Sequence, residues 1–418
     1  MSKYLLLGMG KSNQAVARYF DANNIDYITY DDNNKIELKE DYEVVVKSGG
    51  VKPDHPLLKN KFVISDLELF YLYSKKKNII CVTGTNGKTT TVSLIKEIIG
   101  DIDLGGNIGY PLMDFCSSDK DIIIEASSYM LDNIYLFKAK YNVILNISCN
   151  HLDYHQTFEN YYKAKFKMFN NLSVSDYIIY NYDDEIIREH VQKISCHKIP
   201  ISRKTKVKGI YLLNNYIYLY DRPIMSVAEI HLEGDNNLYN VMASIITCYL
   251  YGINIYKIRC GVQKFYGLKY RMELVLDQKV NEYNIKVYND SKATNIMAFK
   301  NAFDTIQKKC KENNYKIILI CGGQKRDNVD IYQLLCNANL SIDYIDTIYC
   351  FGSAREEYYN YYKIHSDCVK VSSISDIKDL KIEGNRYVLF SPGAPSFDEF
   401  KNYQERGVFF EKLLKTWF

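Results

Sequence analysis

The chain has 418 residues, which exceeds the roughly 250–300 residues at which a single core stops growing, so we expect more than one domain. Its 53 basic and 50 acidic side chains leave a net charge of +3, which supplies no basic field for binding nucleic acid. The 11 cysteines form no C-x-x-C pair, and neither a signal peptide nor a membrane-length apolar run is present, so we expect a reduced, cytosolic protein without a membrane partner.

A strand–helix–strand pattern with a glycine-containing turn opens the chain. It covers residues 4–30 and is followed by Asp31 and Asp32. An acidic residue about 20 positions after such a turn is typical of Rossmann-type dinucleotide binding. Asn13 replaces the third glycine of that motif, which predicts a wider spacing between helix and strand. Direct dinucleotide binding and a generic βα turn are equally compatible with this segment.

The most informative segment predicts a phosphate-binding loop. An apolar run at residues 79–82 predicts a buried strand, a turn with two glycines follows, and a helix is predicted over 89–99. Backbone N–H groups and a helix N-terminus at such a junction attract a polyanion. Lys88 can then reach the terminal phosphates, and the hydroxyl of Thr89 can ligate Mg²⁺. Val82 stands where the strict motif has its first glycine, so an ordinary strand–turn–helix connection is the alternative. The order of the elements favours a nucleoside triphosphate site.

Predicted strands and helices alternate through the rest of the chain. The lysines at 75–77 predict a solvated connector and a domain boundary before the phosphate loop. Further strands are predicted at residues 121–125, 143–147, 177–180, 286–289, 316–321, 347–351 and 386–391, with a strand-rich stretch at 210–232. This alternation predicts an α/β protein with mostly parallel sheets and helices on both faces, built from three units in series.

Polar side chains follow two predicted strands near the phosphate loop. Glu125 ends one strand, and His151 lies in the polar segment 146–153 after the next. Because open α/β sheets bind ligands at the carboxyl ends of their strands, we expect both side chains to converge near the loop and to share a cation. A purely structural role is the alternative for each. Lys165 lies on a predicted helix, where a solvated lysine is more usual than a catalytic one.

Two more polar segments follow predicted strands in the last third of the chain. In residues 289–295, six of seven side chains are polar. A helix start capped by Asp290 or Ser291 is the structural alternative, but capping needs one residue and leaves the others free to bind a ligand. Residues 391–397 are equally consistent with a Pro/Gly turn and with a ligand-binding loop.

Together these segments resemble those of the Mur ligases, the ATP-dependent amino-acid ligases of peptidoglycan precursor synthesis. The resemblance extends nearly end to end and rests on residues 83–90, 106–109, 125–128, 150–153, 267–271, 289–295 and 391–397. The last two segments are similar to those of the branch that adds D-glutamate, and the D-N-P-R signature of the branch that adds a diamino acid is absent. The resemblance implies a Rossmann-like domain at 1–76 for the UDP-substrate, a central P-loop ATPase-like domain at 77–266, and a Rossmann-like amino-acid-binding domain at 267–418.

The activity implied by the resemblance is addition of D-glutamate to UDP-N-acetylmuramoyl-L-alanine through an acyl phosphate. It implies ATP and Mg²⁺ as cofactors, a cytoplasmic location, and a monomer without a nucleic-acid partner. Another amide ligase of the superfamily, such as a folylpolyglutamate synthetase, is the nearer alternative. A nucleotide-dependent dehydrogenase or a non-catalytic nucleotide-binding module is the more distant one.

The resemblance also assigns roles to individual residues. It implies catalytic roles for Lys88, Lys165, His151 and Lys292. It implies ATP binding by Gly84, Thr85, Asn86, Gly87, Lys88, Thr89, Thr90, Asn237, Asn240, Arg271 and Asp290. It implies substrate binding by Ser12, Asp31, Asp32, Gly50, Asn107, Lys292, Thr294, Arg326, Ser396 and Phe397. It implies metal binding by Thr89, Glu125, His151 and Lys165, the last of which matches a lysine that is carbamylated in this family.

The chain departs from the family pattern at several positions. Asn150 stands where an Asp usually precedes the metal-site His, and Asn236 and Tyr270 replace two other His residues. The glutamate-binding Lys of the family aligns with Arg326, and Lys325 is adjacent. An Arg binds a carboxylate bidentately, so recognition of an amino-acid carboxylate is compatible with the replacement.

Overall fold

The computed structural model describes residues 4–33, 38, 41–75, 78–232, 234–325, 329–364, 367–380 and 382–418. The chain divides into two compact units, Met1–Phe265 and Tyr266–Phe418. Both units contain parallel-rich sheets with helices, so the predicted α/β class is confirmed. The predicted boundary at 76 and 77 lies outside the described residues, and the division into three domains stays a prediction.

The first sheet of the N-terminal unit lies at the start of the chain. Its elements are β1 (Tyr4–Leu7), α1 (Lys11–Ala22), β2 (Tyr27–Tyr30), β3 (Val44–Lys47), β4 (Phe62–Ile64) and α2 (Asp66–Tyr73). Within the described residues the strands form a parallel sheet in the order β2-β1-β3-β4. Buried Asn13 donates from its amide to the carbonyls of Leu7 (3.0 Å) and Val46 (3.1 Å). A hydrogen-bonded side chain thus occupies the place of the missing glycine between α1 and the strand ends.

The second sheet of this unit carries the predicted phosphate loop. Its elements are β5 (Ile79–Thr83), α3 (Lys88–Ile99), β6 (Asp103–Gly106), β7 (Ile122–Glu125), α4 (Ser128–Asp132), β8 (Tyr141–Ile144), α5 (Leu152–His155), α6 (Phe158–Phe166), β9 (Tyr177–Asn181), α7 (Glu185–Gln192), β10 (His197–Ser202), β11 (Ile210–Leu213), β12 (Tyr216–Leu219), β13 (Arg222–Ser226), α8 (Asp235–Leu250) and α9 (Ile255–Lys264). Across the described residues the order is β13-β12-β11-β10-β9-β8-β5-β7-β6, and only the pairs β11–β12 and β12–β13 are antiparallel.

Strand β5 lies at the point where the strand order of this sheet reverses. The chain leaves β5 for β6 on one side, returns through β7, and continues with β8 on the other side. Open α/β sheets bind ligands beyond the carboxyl ends of the strands at such a point. Strand β5 is buried on both faces, with Ile79 and Cys81 in one core cluster and Ile80 and Val82 in another. This explains its continuous apolar sequence, which is typical of a central parallel strand.

The strand predicted at 143–147 lies nearer the N-terminus in the structure, where β8 spans Tyr141–Ile144. The reason is the side chain of Asn146, which accepts from the N–H of Asn86 (2.8 Å) and donates to its carbonyl (3.1 Å). These bonds draw the chain after β8 toward the turn that follows β5. The residues expected to extend the strand therefore support the phosphate loop.

The C-terminal unit contains one sheet with helices. Its elements are β14 (Glu273–Val280), β15 (Tyr283–Asn289), α10 (Ile296–Asn313), β16 (Lys316–Gly322), α11 (Ile331–Ala338), β17 (Ile345–Phe351), α12 (Arg355–Tyr362), β18 (Asp367–Lys370), β19 (Arg386–Gly393) and α13 (Tyr403–Trp417). In the described part of this unit the order is β14-β15-β19-β16-β17-β18, and only β14 and β15 pair antiparallel. Strands β15, β16 and β19 are neighbours, so the loops that follow them leave the same edge.

The structural alternative of a helix cap at Asp290 or Ser291 is not what the structure has. Helix α10 begins at Ile296, and its cap is Asn295, whose side-chain oxygen accepts from the N–H of Ala298 (2.9 Å). Asp290 binds Ser391 at the end of β19 and Ser291 binds Arg406 of α13 instead, so capping does not account for them.

None of the described helices combines the length and the apolar character that a membrane crossing requires. All eleven cysteines are free thiols.

Candidate functional site

The turn between β5 and α3 forms a tight cradle against α8. Gly87 has φ +85° and caps α3, and a Cβ at this position would lie 2.1 Å from Oδ1 of Asn240. Glycine is therefore required for α8 to approach so closely. The ammonium of Lys88 donates to the carbonyls of Gly84 (2.7 Å) and Thr85 (2.9 Å), so it lies folded over the turn.

The same turn is supported from both sides. Thr85 shares a hydrogen bond between its hydroxyl and that of Tyr161 (2.9 Å), and its N–H donates to the carbonyl of Asn146 (2.9 Å). On the other side, the amide of Asn240 donates to the side chain of Asn237 (2.9 Å), which brings both predicted residues of α8 next to the loop. Thr89 is half-buried and Thr90 is buried, and both lie in the first turn of α3. The N-terminus of this helix therefore lies at the turn that follows β5.

Lys165, for which the spacing on its helix left a solvated and a catalytic position both open, is buried with 1% of its surface exposed. Its ammonium nitrogen lies 3.1 Å from the carbonyl of Gly84 and 3.4 Å from the hydroxyl of Thr83. Burial, reinforced by the charge of Lys88, lowers the pKa of Lys165 well below its usual value, and Glu125 opposes the shift. Helix α6 therefore presents a nucleophilic, readily deprotonated amine to the phosphate loop.

Glu125 ends β7 beside this lysine and is 2% exposed. Its Oε1 accepts from the amide of Asn107 (3.0 Å), whereas its Oε2 has no hydrogen-bond partner among the described residues. A buried carboxylate oxygen without a donor is costly, and a cation compensates for it. In the described part of the chain, no three Asp, Glu, His or Cys side chains converge on a metal position. A cation at Glu125 would thus take further oxygens from phosphate and water, as Mg²⁺ commonly does.

His151 lies at the N-terminus of α5 in a left-handed conformation, with φ +54°. Its Nδ1 lies 2.7 Å from the hydroxyl of Tyr129. Burial, reinforced by the charges of Lys165 and Lys88, lowers the pKa of His151 to about 4. The imidazole is therefore neutral at neutral pH and can use a nitrogen lone pair as a ligand.

Two cavities in the N-terminal unit contain the predicted substrate-binding residues of this unit. The first, of 760 Å³, is lined by the turn after β1 and by Asp31, Asp32 and Gly50. Asp31 accepts from the N–H of Met9 (2.7 Å), and this bond is the main cause of its lowered pKa. The second cavity, of 460 Å³, is lined by Ser12, Gly50, Asn107, Asp66, Ser127 and Tyr129. Gly50 lines both cavities, so they adjoin each other.

Asp290 joins the loop that follows β15 to the end of β19 and to the residue before β14. This buried carboxylate accepts from the hydroxyl of Ser391 (2.8 Å) and from the N–H of Met272 (3.1 Å). Burial raises the pKa of Asp290 to about 7, although Arg271 and the hydrogen bonds oppose the shift. Lys292 follows on the same loop, with its ammonium 5.3 Å from the ring centre of Tyr403.

Arg406 of α13 ties the loop after β15 to the loop after β19. No sequence motif pointed to this residue. It is fully buried. It donates to the hydroxyl (3.1 Å) and carbonyl (2.8 Å) of Ser291, and to the carbonyls of Ala394 (3.0 Å) and Pro395 (3.0 Å). The sequence did contain a signal for a buried Arg406, because Phe410 lies one helical turn later on the same face. A charged residue on the apolar face of a helix indicates a buried, hydrogen-bonded group.

The remaining predicted residues of this unit lie on or near these loops. Ser396 is buried, Phe397 is 67% exposed, and Thr294 is half-buried. Arg326 lies outside the described residues. The adjacent Lys325 forms an ion pair with Glu357.

Comparison with known proteins supplies independent evidence. Residues 82–248 match the Mur ligase middle domain. The UDP-N-acetylmuramoylalanine–D-glutamate ligase of Caldicellulosiruptor bescii is 30% identical over 462 residues, covering 98% of this chain and 96% of that protein. The ligase of the same name from Streptococcus equi subsp. zooepidemicus is 33% identical over 362 residues, covering 78% of this chain and 77% of that protein. The chain belongs to the Mur ligase family.

Solved structures of Mur ligases share the fold. The UDP-N-acetylmuramate–alanine ligase of Thermotoga maritima matches with a TM-score of 0.64 and 16% identity, covering 100% of both chains. The MurF ligase of the same organism, in complex with ADP, matches with a TM-score of 0.62 and 16% identity, covering 99% of this chain and 95% of that one. The family predicted from short motifs is therefore confirmed by full-length similarity.

Proposed function

We propose that this Mur ligase joins D-glutamate to UDP-N-acetylmuramoyl-L-alanine, with ATP converted to ADP and phosphate. The observation that carries the proposal is the grouping of Lys88, Lys165 and Glu125 at the carboxyl edge around β5, in the unit that also holds the cavity lined by Asn107. Full-length similarity to proteins named D-glutamate ligases supports the choice of amino acid.

ATP would bind with its phosphates at the turn between β5 and α3. The N-terminus of α3 attracts negative charge, and Lys88 already lies over the turn, from which it can move to the terminal phosphate. A substrate carboxylate attacks the γ-phosphorus and ADP leaves, which forms an acyl phosphate. The amine of D-glutamate then attacks the acyl carbon, and phosphate leaves as the amide forms. Lys88 stabilises the charge on the transferring oxygens.

Mg²⁺ would be held by Glu125, His151, Thr89 and the ATP oxygens. The Oε2 of Glu125, which has no hydrogen-bond partner in the described part of the chain, and the neutral imidazole of His151 fit a cation at this place. When bound, the ion supplies electrostatic stabilisation of the phosphoryl group during transfer.

Lys165 has the properties required for carbamylation. Carbon dioxide reacts with an uncharged amine, and burial beside Lys88 lowers the pKa of this one. The carbamate gives this side chain oxygens that can ligate Mg²⁺ or bind its water, which the amine lacks. It also pairs a negative charge with Lys88.

The sugar nucleotide would occupy the two adjoining cavities. The turn after β1 would contact its phosphates, Asp31 and Asp32 the uracil end, and Ser12, Gly50 and Asn107 the remainder. Asn107 connects this cavity to the cation site, because its amide binds the carboxylate of Glu125.

D-Glutamate would bind at the loops that Arg406 ties together. Lys292, Thr294, Ser396 and Phe397 are the proposed contacts, together with Arg326. Asp290 and Arg271 would contact ATP from the same unit. We also propose the domain bounds 1–76, 77–266 and 267–418, and a monomer that acts in the cytoplasm during peptidoglycan precursor synthesis.

The test is formation of ADP by the purified protein with UDP-N-acetylmuramoyl-L-alanine, in parallel with D-glutamate, L-glutamate and L-alanine. Of these three amino acids, we expect only D-glutamate to support ADP formation. Turnover with another amino acid, or with a folate acceptor, would assign the chain to a different amide ligase of the superfamily.

A further inference from the structure

The side chain of Tyr129 takes part in both the cation site and a substrate cavity. Its hydroxyl lies 2.7 Å from Nδ1 of His151, and the residue is one of those that line the 460 Å³ cavity. The ring also packs against Tyr154, at 4.7 Å between ring centres, and against His151, at 4.9 Å. Tyr129 belongs to α4, which begins three residues after Glu125. The end of β7 therefore positions the side chains of both Glu125 and Tyr129.

The hydrogen bond between Tyr129 and His151 has two possible forms. In the first, the phenol donates to Nδ1 and the imidazole proton lies on Nε2, which removes the lone pair needed for a cation. In the second, Nδ1–H donates to the phenol oxygen and Nε2 keeps its lone pair. The phenol proton is then left for another acceptor, and no other partner of this hydroxyl occurs among the described residues. Tyr129 lines the 460 Å³ cavity, which is where an acceptor can bind.

We propose that Tyr129 is a positioning residue that transmits the presence of a ligand in this cavity to His151. Resting on the proposed function, the ligand is the sugar nucleotide. One of its oxygens accepts the phenol proton, the phenol oxygen accepts Nδ1–H, and the Nε2 lone pair is left for the cation. Binding of the sugar nucleotide thereby selects the imidazole form that can hold the metal, before any phosphate is transferred.

The test follows the His151 tautomer in metal-free, full-length protein. Long-range ¹H–¹⁵N spectra of histidine-labelled protein distinguish the two tautomers, and His151→Gln assigns the signal among the 7 histidines. Adding UDP-N-acetylmuramoyl-L-alanine should shift wild-type His151 toward Nδ1–H and leave Tyr129→Phe unchanged. Tyr135→Phe is the control, because Tyr135 follows α4 closely, is exposed and lines neither cavity, and it should respond like wild type. An equal response in Tyr129→Phe, or none in wild type, overturns the proposal.

A second readout measures the cation without turnover. Mn²⁺ binding in the presence of AMP-PNP and the sugar nucleotide, followed by electron paramagnetic resonance, should be about tenfold weaker in Tyr129→Phe, the usual effect of removing a partner of a ligating His. Equal affinities would contradict the proposed role. Failure of these tests in an enzyme that forms ADP with D-glutamate removes only the role of Tyr129. A wild-type protein that does not bind the sugar nucleotide refutes the proposed function and this inference together.

Discussion

Replacing Arg406 tests whether the loops proposed to bind D-glutamate, which follow β15 and β19, depend on a buried guanidinium. In Arg406→Met the side chain keeps much of its apolar bulk but loses the four hydrogen bonds to residues 291, 394 and 395. At about 1 kcal/mol of net stabilisation for each bond, the C-terminal unit should lose about 4 kcal/mol. If about 1.4 kcal/mol of this loss loosens the substrate-bound loops, the KM for D-glutamate rises about tenfold.

The single tryptophan of the chain makes the stability part of this prediction measurable. Trp417 lies at the end of α13 and donates to the carbonyl of Ile377, so its fluorescence reports the C-terminal unit. Urea unfolding of Arg406→Met, followed by the fluorescence of Trp417, should show the lower stability of the C-terminal unit. The KM of this variant for the sugar nucleotide should stay near that of wild type. Arg406→Lys keeps the charge without the planar guanidinium. Its stability and its KM for D-glutamate should therefore lie between those of wild type and of Arg406→Met. A Met variant with wild-type unfolding and wild-type KM for D-glutamate would refute the reasoning.

The remaining predictions concern four other side chains. Lys88→Ala should abolish ADP formation in a coupled assay, because the γ-phosphate loses its cation; wild-type turnover would contradict the site. Lys165→Ala should lose activity and regain part of it with added short-chain acids that replace a carbamate, whereas exposed Lys163→Ala on the same helix should stay active; full activity without the acids would rule out the carbamate. Asp290 has its pKa raised to about 7 in the folded protein, so it contributes stability that falls as pH rises from about 4 to 7. Urea midpoints should therefore fall more steeply with pH in wild type than in Asp290→Asn, and parallel slopes would contradict this. Glu68, 2% exposed, accepts from three N–H groups at 135–137 (3.0, 2.7 and 3.0 Å), and Glu68→Ala should lower the thermal midpoint by several degrees, more than the exposed Glu159→Ala. Equal midpoints would show that these bonds are not stabilising.

Several features of this protein follow from the sequence alone, because they depend on neighbouring residues. The phosphate loop needs an apolar strand, glycines and Lys88 in one continuous stretch, and the structure has β5 and α3 at those positions. The alternation of strands and helices similarly predicts the parallel sheets, since a parallel strand pair requires a crossover between its members. Short motifs were also sufficient to identify the family, which full-length similarity confirms.

Other features were decided only by tertiary structure, because they arise between residues far apart in the chain. The buried amine of Lys165 depends on β5 and the phosphate loop packing against α6, so its spacing within the helix could not decide between a solvated and a buried position. The end of β8 depends on bonds between Asn146 and a turn sixty residues earlier. The roles of Arg406 and Tyr129 come from hydrogen bonds to residues 291 and 151, and no local pattern contains both partners. Local chemistry specifies where a ligand can bind, whereas packing determines the charge and orientation of the groups around it.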